Sequence, residues 1–221
     1  MVIRNRRLLV SLILVAASLL PQGIADSLKA GDYKGKYAGT VFGRKIGNTL
    51  GMLREAAFKR VEKRLGISPD PDRFRIEVRD AEGMDEKALK KWDRRGAEAR
   101  RDGEKILLTL YLEPVASGEA VAEMALAQSA AEGLFLARYD DKKLKELCPE
   151  WVLEGLSLYA AGSDEATDVA AQILTARRRP PETLLVELES GKEAASLAQS
   201  FWAFLYLEKK HGAPAVQRFA K

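Results

Sequence analysis

Histidine and cysteine are almost missing from this chain of 221 residues: there is one of each, His211 and Cys148. A lone cysteine excludes any intrachain disulfide, so the fold must hold itself by core packing. A lone imidazole excludes every site that needs two histidine ligands, and it leaves a serine or cysteine nucleophile one imidazole base at most. No Gly-x-Ser-x-Gly elbow occurs, and Gly31, Gly35, Gly39 and Gly43 match no phosphate-cradling spacing. Long apolar runs are also lacking. The run Leu8 to Leu20 falls short of the ~20 residues that a spanning helix needs.

That short run has its own meaning. Arg4, Arg6 and Arg7 precede it, Pro21-Gln22-Gly23 breaks it, and Gly23 and Ala25 put small residues where a signal peptidase reads them. Residues 1–25 are expected to be a secretory signal peptide cut after Ala25. The protein would then be exported across a bacterial-type inner membrane, to the periplasm or beyond, with no stable membrane span. No cysteine near the cut offers a lipid anchor. Cleavage changes the charge balance. The whole chain has 36 basic and 32 acidic residues, a net charge of +4, and the leader holds three of the basic ones. A mature charge near neutral argues against nucleic acid as a partner. The clusters Lys87, Lys90, Lys91 and Arg177-Arg178-Arg179 are expected to be solvated faces.

With 47% apolar and 31% charged residues, the remainder has the composition of a well-cored domain. Residues 26–45 are expected to form a flexible lead-in and residues 46–221 one domain. Leu50, Leu53, Ala57, Val61 and Leu65 recur at helical spacing, and Gly66 ends the helix. Phe74 to Arg79 alternates apolar and charged residues, as a half-buried strand does. A short helix is expected over 85–93. Asp102-Gly103 signals a hairpin into a strand over Lys105 to Leu112, in a small, mostly antiparallel sheet. Helices follow: one over 120–137 with Ser117 as its N-cap, one from Pro149 to Gly162, one over 164–176, one over 193–210 and a last one near Pro214. The fold class is α+β: an N-terminal helix, a small sheet and a helical subdomain. Cys148 is expected to act as a small buried hydrophobe.

Three segments carry a family resemblance. The strand Ile106 to Leu112 is followed by a helix holding Gln128-Ser129-Ala130-Ala131-Glu132. Next comes Pro149-Glu150-Trp151-Val152-Leu153-Glu154-Gly155-Leu156-Ser157-Leu158-Tyr159. The third runs from Ala198-Gln199-Ser200-Phe201-Trp202 to His211-Gly212. In order and spacing these resemble the peptidase MA-like gluzincin metallopeptidases, over about residues 74 to 221. In that family a helix with His-Glu-x-x-His holds zinc through its two histidines and activates water through its glutamate. A second helix, of the type Pro-x-Trp-x-x-Glu-Gly-x-x-x-Tyr, supplies the third ligand.

The resemblance places the first histidine at Gln128, the catalytic glutamate at Ser129 and the second histidine at Glu132. Glu154 keeps the third-ligand position, while Leu158 stands where some gluzincins have an acid. An amide and two carboxylates do not suit a peptidase zinc, and a serine is no general base. The expected protein is therefore a non-catalytic relative without zinc, with no catalytic residue of its own. Trp151, Tyr159 and Trp202 would edge a vestigial cleft open to a peptide or an envelope partner. Two alternatives stand beside it: a hydrolase using Glu132 and Glu154 as paired carboxylates, and a purely structural envelope protein. In the bland reading those acids pair with Arg138, Gln128 or Tyr159.

Overall fold

The computed structural model describes residues 36–80, 96–118, 120–162 and 194–221. The signal peptide, the helices expected over 85–93 and 164–176, and both basic clusters lie outside them. Helix α1 spans Val41–Leu65 and so begins inside the expected lead-in. The Thr40 side chain fixes that start by accepting a hydrogen bond from the Gly43 N–H. Gly66 ends the helix in the left-handed conformation, with its N–H donating to the Glu62 carbonyl. Apolar periodicity begins only at Leu50, so it could not mark the cap.

A 3-10 turn over Pro71–Arg73 leads into β1, Phe74–Arg79. Strands β2, Ala97–Asp102, and β3, Lys105–Tyr111, form the hairpin that Asp102-Gly103 announces, with Gly103 at φ +62°. The sheet order is β1-β3-β2. The pair β2–β3 is antiparallel, but β1 lies parallel to β3, with Phe74 opposite Ile106 and Arg79 opposite Tyr111. The sheet is thus mixed, not mostly antiparallel. The chain leaves β1, skips one strand position to reach β2, and returns by the hairpin into the centre, a path that local pattern does not encode. The central place of β3 also explains why Ile106 through Leu110 are all buried, where alternation had put only one side inward.

Leu112 opens helix α2, Leu112–Ser117, instead of ending the strand. Ser117 closes this helix, its Oγ donating to the Pro114 carbonyl, so it is not the N-cap of the next one. Gly118 then ends α2 at φ +80°. Helix α3, Ala122–Arg138, starts after Val121 with no side-chain cap. It is the centre of the molecule and packs against α1, β2 and β3. Small residues permit this: Ala122, Ala125, Ala127, Ser129, Ala130, Ala131 and Gly133 are buried. A Cβ on Gly133 would come 2.6 Å from the Phe74 ring.

Helix α4, Asp141–Leu147, is capped by the Asp140 carboxylate, which accepts from the Lys143 N–H. Helix α5, Glu150–Ala161, ends at left-handed Gly162 and packs on α1 and α3. Helices α6, Ala194–His211, and α7, Ala213–Ala220, complete the described residues. Gly155 sets the crossing of α5 and α6: a Cβ there would stand 2.5 Å from the Ser200 carbonyl oxygen. The architecture is α+β, helix-rich around a three-stranded sheet. None of the described helices is long and apolar enough to cross a membrane.

Candidate functional site

The α3–α5 contact brings together the two segments that carry the motif positions. Gln128 and Ser129 face inward from the middle of α3, with 8% and 1% of their surface exposed. Glu132 lies one turn further along, half-buried, and Glu154 is half-buried on α5. Both acids are engaged in polar interactions. Two of the partners proposed for them have other ties: Arg138 donates to the Lys221 carbonyl, and Tyr159 sits beside Arg64. The Ser157 hydroxyl, also buried on α5, donates to the Glu154 carbonyl.

The donor set does not fit a peptidase zinc. Gln128 offers a neutral amide, and Ser129 is neither a ligand of that kind nor a base. His211 is exposed in the last turn of α6 beside Lys209 and Lys210, where positive charge complements the helix end. Among the described residues no three His, Cys, Asp or Glu side chains gather as metal ligands would. Cys148 is half-buried, and burial pushes its thiol up from the ordinary range, away from the thiolate a nucleophile needs.

The three aromatic residues assigned to a cleft divide. Trp151 is half-buried on α5. Trp202 is half-buried too, but its indole N–H is enclosed without a hydrogen-bond partner. Tyr159 is 1% exposed and belongs to the core, so it edges no cleft. Apolar spacing put it on the same face of α5 as Leu156 and Val152, which are core residues as well. Two cavities open elsewhere, at the C-terminal end of α3. One, of about 490 Å³, lies among Arg73, Arg101, Lys105 and Leu136; the other, of about 240 Å³, lies among Ile67, Phe74, Leu134 and Ala220. Neither is lined by a motif position. The arginines there are engaged on helix-end carbonyls, Arg73 on Ala137 and Arg101 on Tyr139.

Two polar networks were not foreseen. On the sheet, Thr109 of β3 lies between Glu77 of β1 and Glu98 of β2 in register. Its hydroxyl donates to Glu77, Arg79 pairs with Glu77 at 2.7 Å, and the Tyr111 hydroxyl donates to Glu98 at 2.7 Å. Burial first, and then the Glu98 carboxylate, push the Tyr111 hydroxyl well above its ordinary range. The second network joins helices. Arg60 of α1 pairs with Glu123 of α3 at 2.6 Å, and Arg64 pairs with Glu208 of α6 at 3.3 Å. The Arg64 guanidinium also stacks 5.2 Å from the centre of the Tyr159 ring. Arginines at i and i+4 beside a core stripe were the one sequence signal. Their partners lie 63 and 144 residues away and could not be read from spacing.

No protein-family model, curated protein or solved structure matches this chain.

Proposed function

We propose that this protein is an exported, non-catalytic relative of the gluzincin metallopeptidases, which binds an extended peptide or an envelope partner over the α3–α5 face. The observation that carries the reading is the filling of the motif positions. A buried amide at 128 and a buried hydroxyl at 129 stand where the resemblance calls for a ligand and a base. Glu132, Trp151 and Glu154 are half-buried on the two packed helices, and the charged and aromatic surface they leave in solvent supports the binding role. That role rests on the resemblance, since a fold does not dictate function.

Metal content tests the first half. The purified protein should carry less than a tenth of an equivalent of zinc, and added zinc should leave its melting temperature unchanged. The pair Gln128→His and Glu132→His puts two imidazoles one turn apart on the helix that packs against the one bearing Glu154, and should bind zinc. A folded pair variant that ignores zinc would show the motif alignment to be wrong. Zinc held stoichiometrically by the parent and lost in Glu154→Ala would favour the hydrolase.

A further inference from the structure

Three helices bear the face just described: α3 with residues 128–132, α5 with Trp151 and Glu154, and α6, which crosses α5 at Gly155 and Ser200. In a metal site, an ion ties such helices together. Here side chains from a fourth helix meet all three. Arg60 directs both Nε and one Nη to the same Glu123 oxygen, at 3.0 and 2.6 Å, and so reaches α3. One turn later Arg64 reaches Glu208 on α6 and covers the Tyr159 ring on α5. The two guanidinium groups converge over the end of α5. A Cβ on Gly162 would lie 3.3 Å from Arg60 and 3.4 Å from Arg64. Positive charge at that place complements the C-terminal end of α5. All four charged side chains are about one-third exposed or less, so water screens them only in part.

We infer that α1 is a strut: Arg60 and Arg64 cross-link α3, α5 and α6, and so hold the binding face in shape without a metal ion. The inference rests on the non-catalytic reading only where it excludes the ion. Its mechanism is differential. Removing either arginine leaves a carboxylate without its partner and frees the end of α5, while the apolar stripe Ala57, Val61 and Leu65 still fixes α1 to the core.

Amide hydrogen exchange on the purified full chain tests this. In Arg64→Gln, protection of the α5 amides should fall about five- to tenfold, and that of β3 should stay within about twofold. Arg64→Lys keeps the charge without the planar fork and should fall between. The swap of Arg64→Glu with Glu208→Arg should recover part of the loss that either change causes alone, as coupled partners do. Additive effects of the two swapped changes, or α5 protection equal to the parent in folded Arg64→Gln, would overturn the strut. Those results with no effect of a chelator leave the reading of the cleft in place. A chelator that loosens α5 as much as Arg64→Gln does would overturn both.

Discussion

Gly155→Ala should destabilise the protein by about 2 kcal/mol, a figure that follows from one close approach. An alanine Cβ at 155 would sit 2.5 Å from the Ser200 carbonyl oxygen, 2.8 Å from the carbonyl carbon and 2.8 Å from the Phe204 ring. Ordinary contact begins near 3.4 Å, so α5 and α6 would have to separate by most of an ångström. The obstruction is backbone inside a helix, which cannot rotate away as a side chain tip does. Overpacking of this kind costs about 1–3 kcal/mol, and with backbone as the obstacle the upper end applies. Against it stands the gain of about 1 kcal/mol when alanine replaces glycine within a helix. Gly133→Ala is the internal comparison. Its Cβ would meet Phe74 and Ile106 side chains at 2.6 and 2.9 Å, and these can shift, so the net cost should be nearer 1 kcal/mol. Urea unfolding with a fixed m-value measures both. A Gly155→Ala protein as stable as the parent, or more harmed at Gly133 than at Gly155, would refute the view that a bare backbone contact sets this helix crossing.

Three further outcomes follow from the same contacts. Tyr159→Phe should be neutral or stabilising by up to about 1 kcal/mol in urea unfolding, because the buried hydroxyl has no hydrogen-bond partner of ordinary geometry and the ring stack under Arg64 survives. Stability should fall as pH rises above about 10. The Tyr111 and Tyr159 hydroxyls are pushed up by burial, so the unfolded chain loses those protons first; Tyr111→Phe should flatten this alkaline limb at the cost of the Glu98 hydrogen bond. Cys148 should react with a thiol reagent at pH 7 several-fold more slowly than a free thiol, since burial disfavours its thiolate; reaction at the free rate in the native protein would contradict that.

Local chemistry was readable where one residue decides an outcome. Gly66 and Gly162 end helices because each sits at positive φ, and Asp102-Gly103 turns a hairpin for the same reason. Other features depend on competition between neighbours. Ser117 has the chemistry of an N-cap, yet Pro114 before it and Gly118 after it make a short helix whose end it closes. Asp140 is a working cap that periodicity passed over, since α4 has too few apolar residues to announce itself. Long-range geometry was not readable at all. The parallel pairing of β1 with β3 depends on which edge of the β2–β3 hairpin β1 meets, and the reach of Arg60 and Arg64 depends on how four helices meet. Of the candidate site, the residue types at 128, 129, 132 and 154 were plain; the burial of Gln128, Ser129 and Tyr159 was not.

That burial bears on whether catalysis could be restored by substitution. Position 129 is 1% exposed on a helix covered by α1, α5 and two strands. A water-activating carboxylate needs solvent beside it, and this position has packed side chains instead. Ser129→Glu should therefore cost about 3 kcal/mol or more at neutral pH, whereas Ser129→Ala should cost less than about 1 kcal/mol. The sign of the pH dependence separates burial of charge from simple crowding. A buried glutamate has its folded-state pKa raised above the unfolded value near 4.3, so the variant keeps most stability below that value and loses it as pH rises. Urea midpoints for Ser129→Glu should then drop from pH 4 to pH 8 relative to the parent, while crowding alone would lower them equally at both. A variant as stable as the parent at pH 8 would mean that water already reaches residue 129, and the α3–α5 contact would have to be open to solvent there rather than closed by packing.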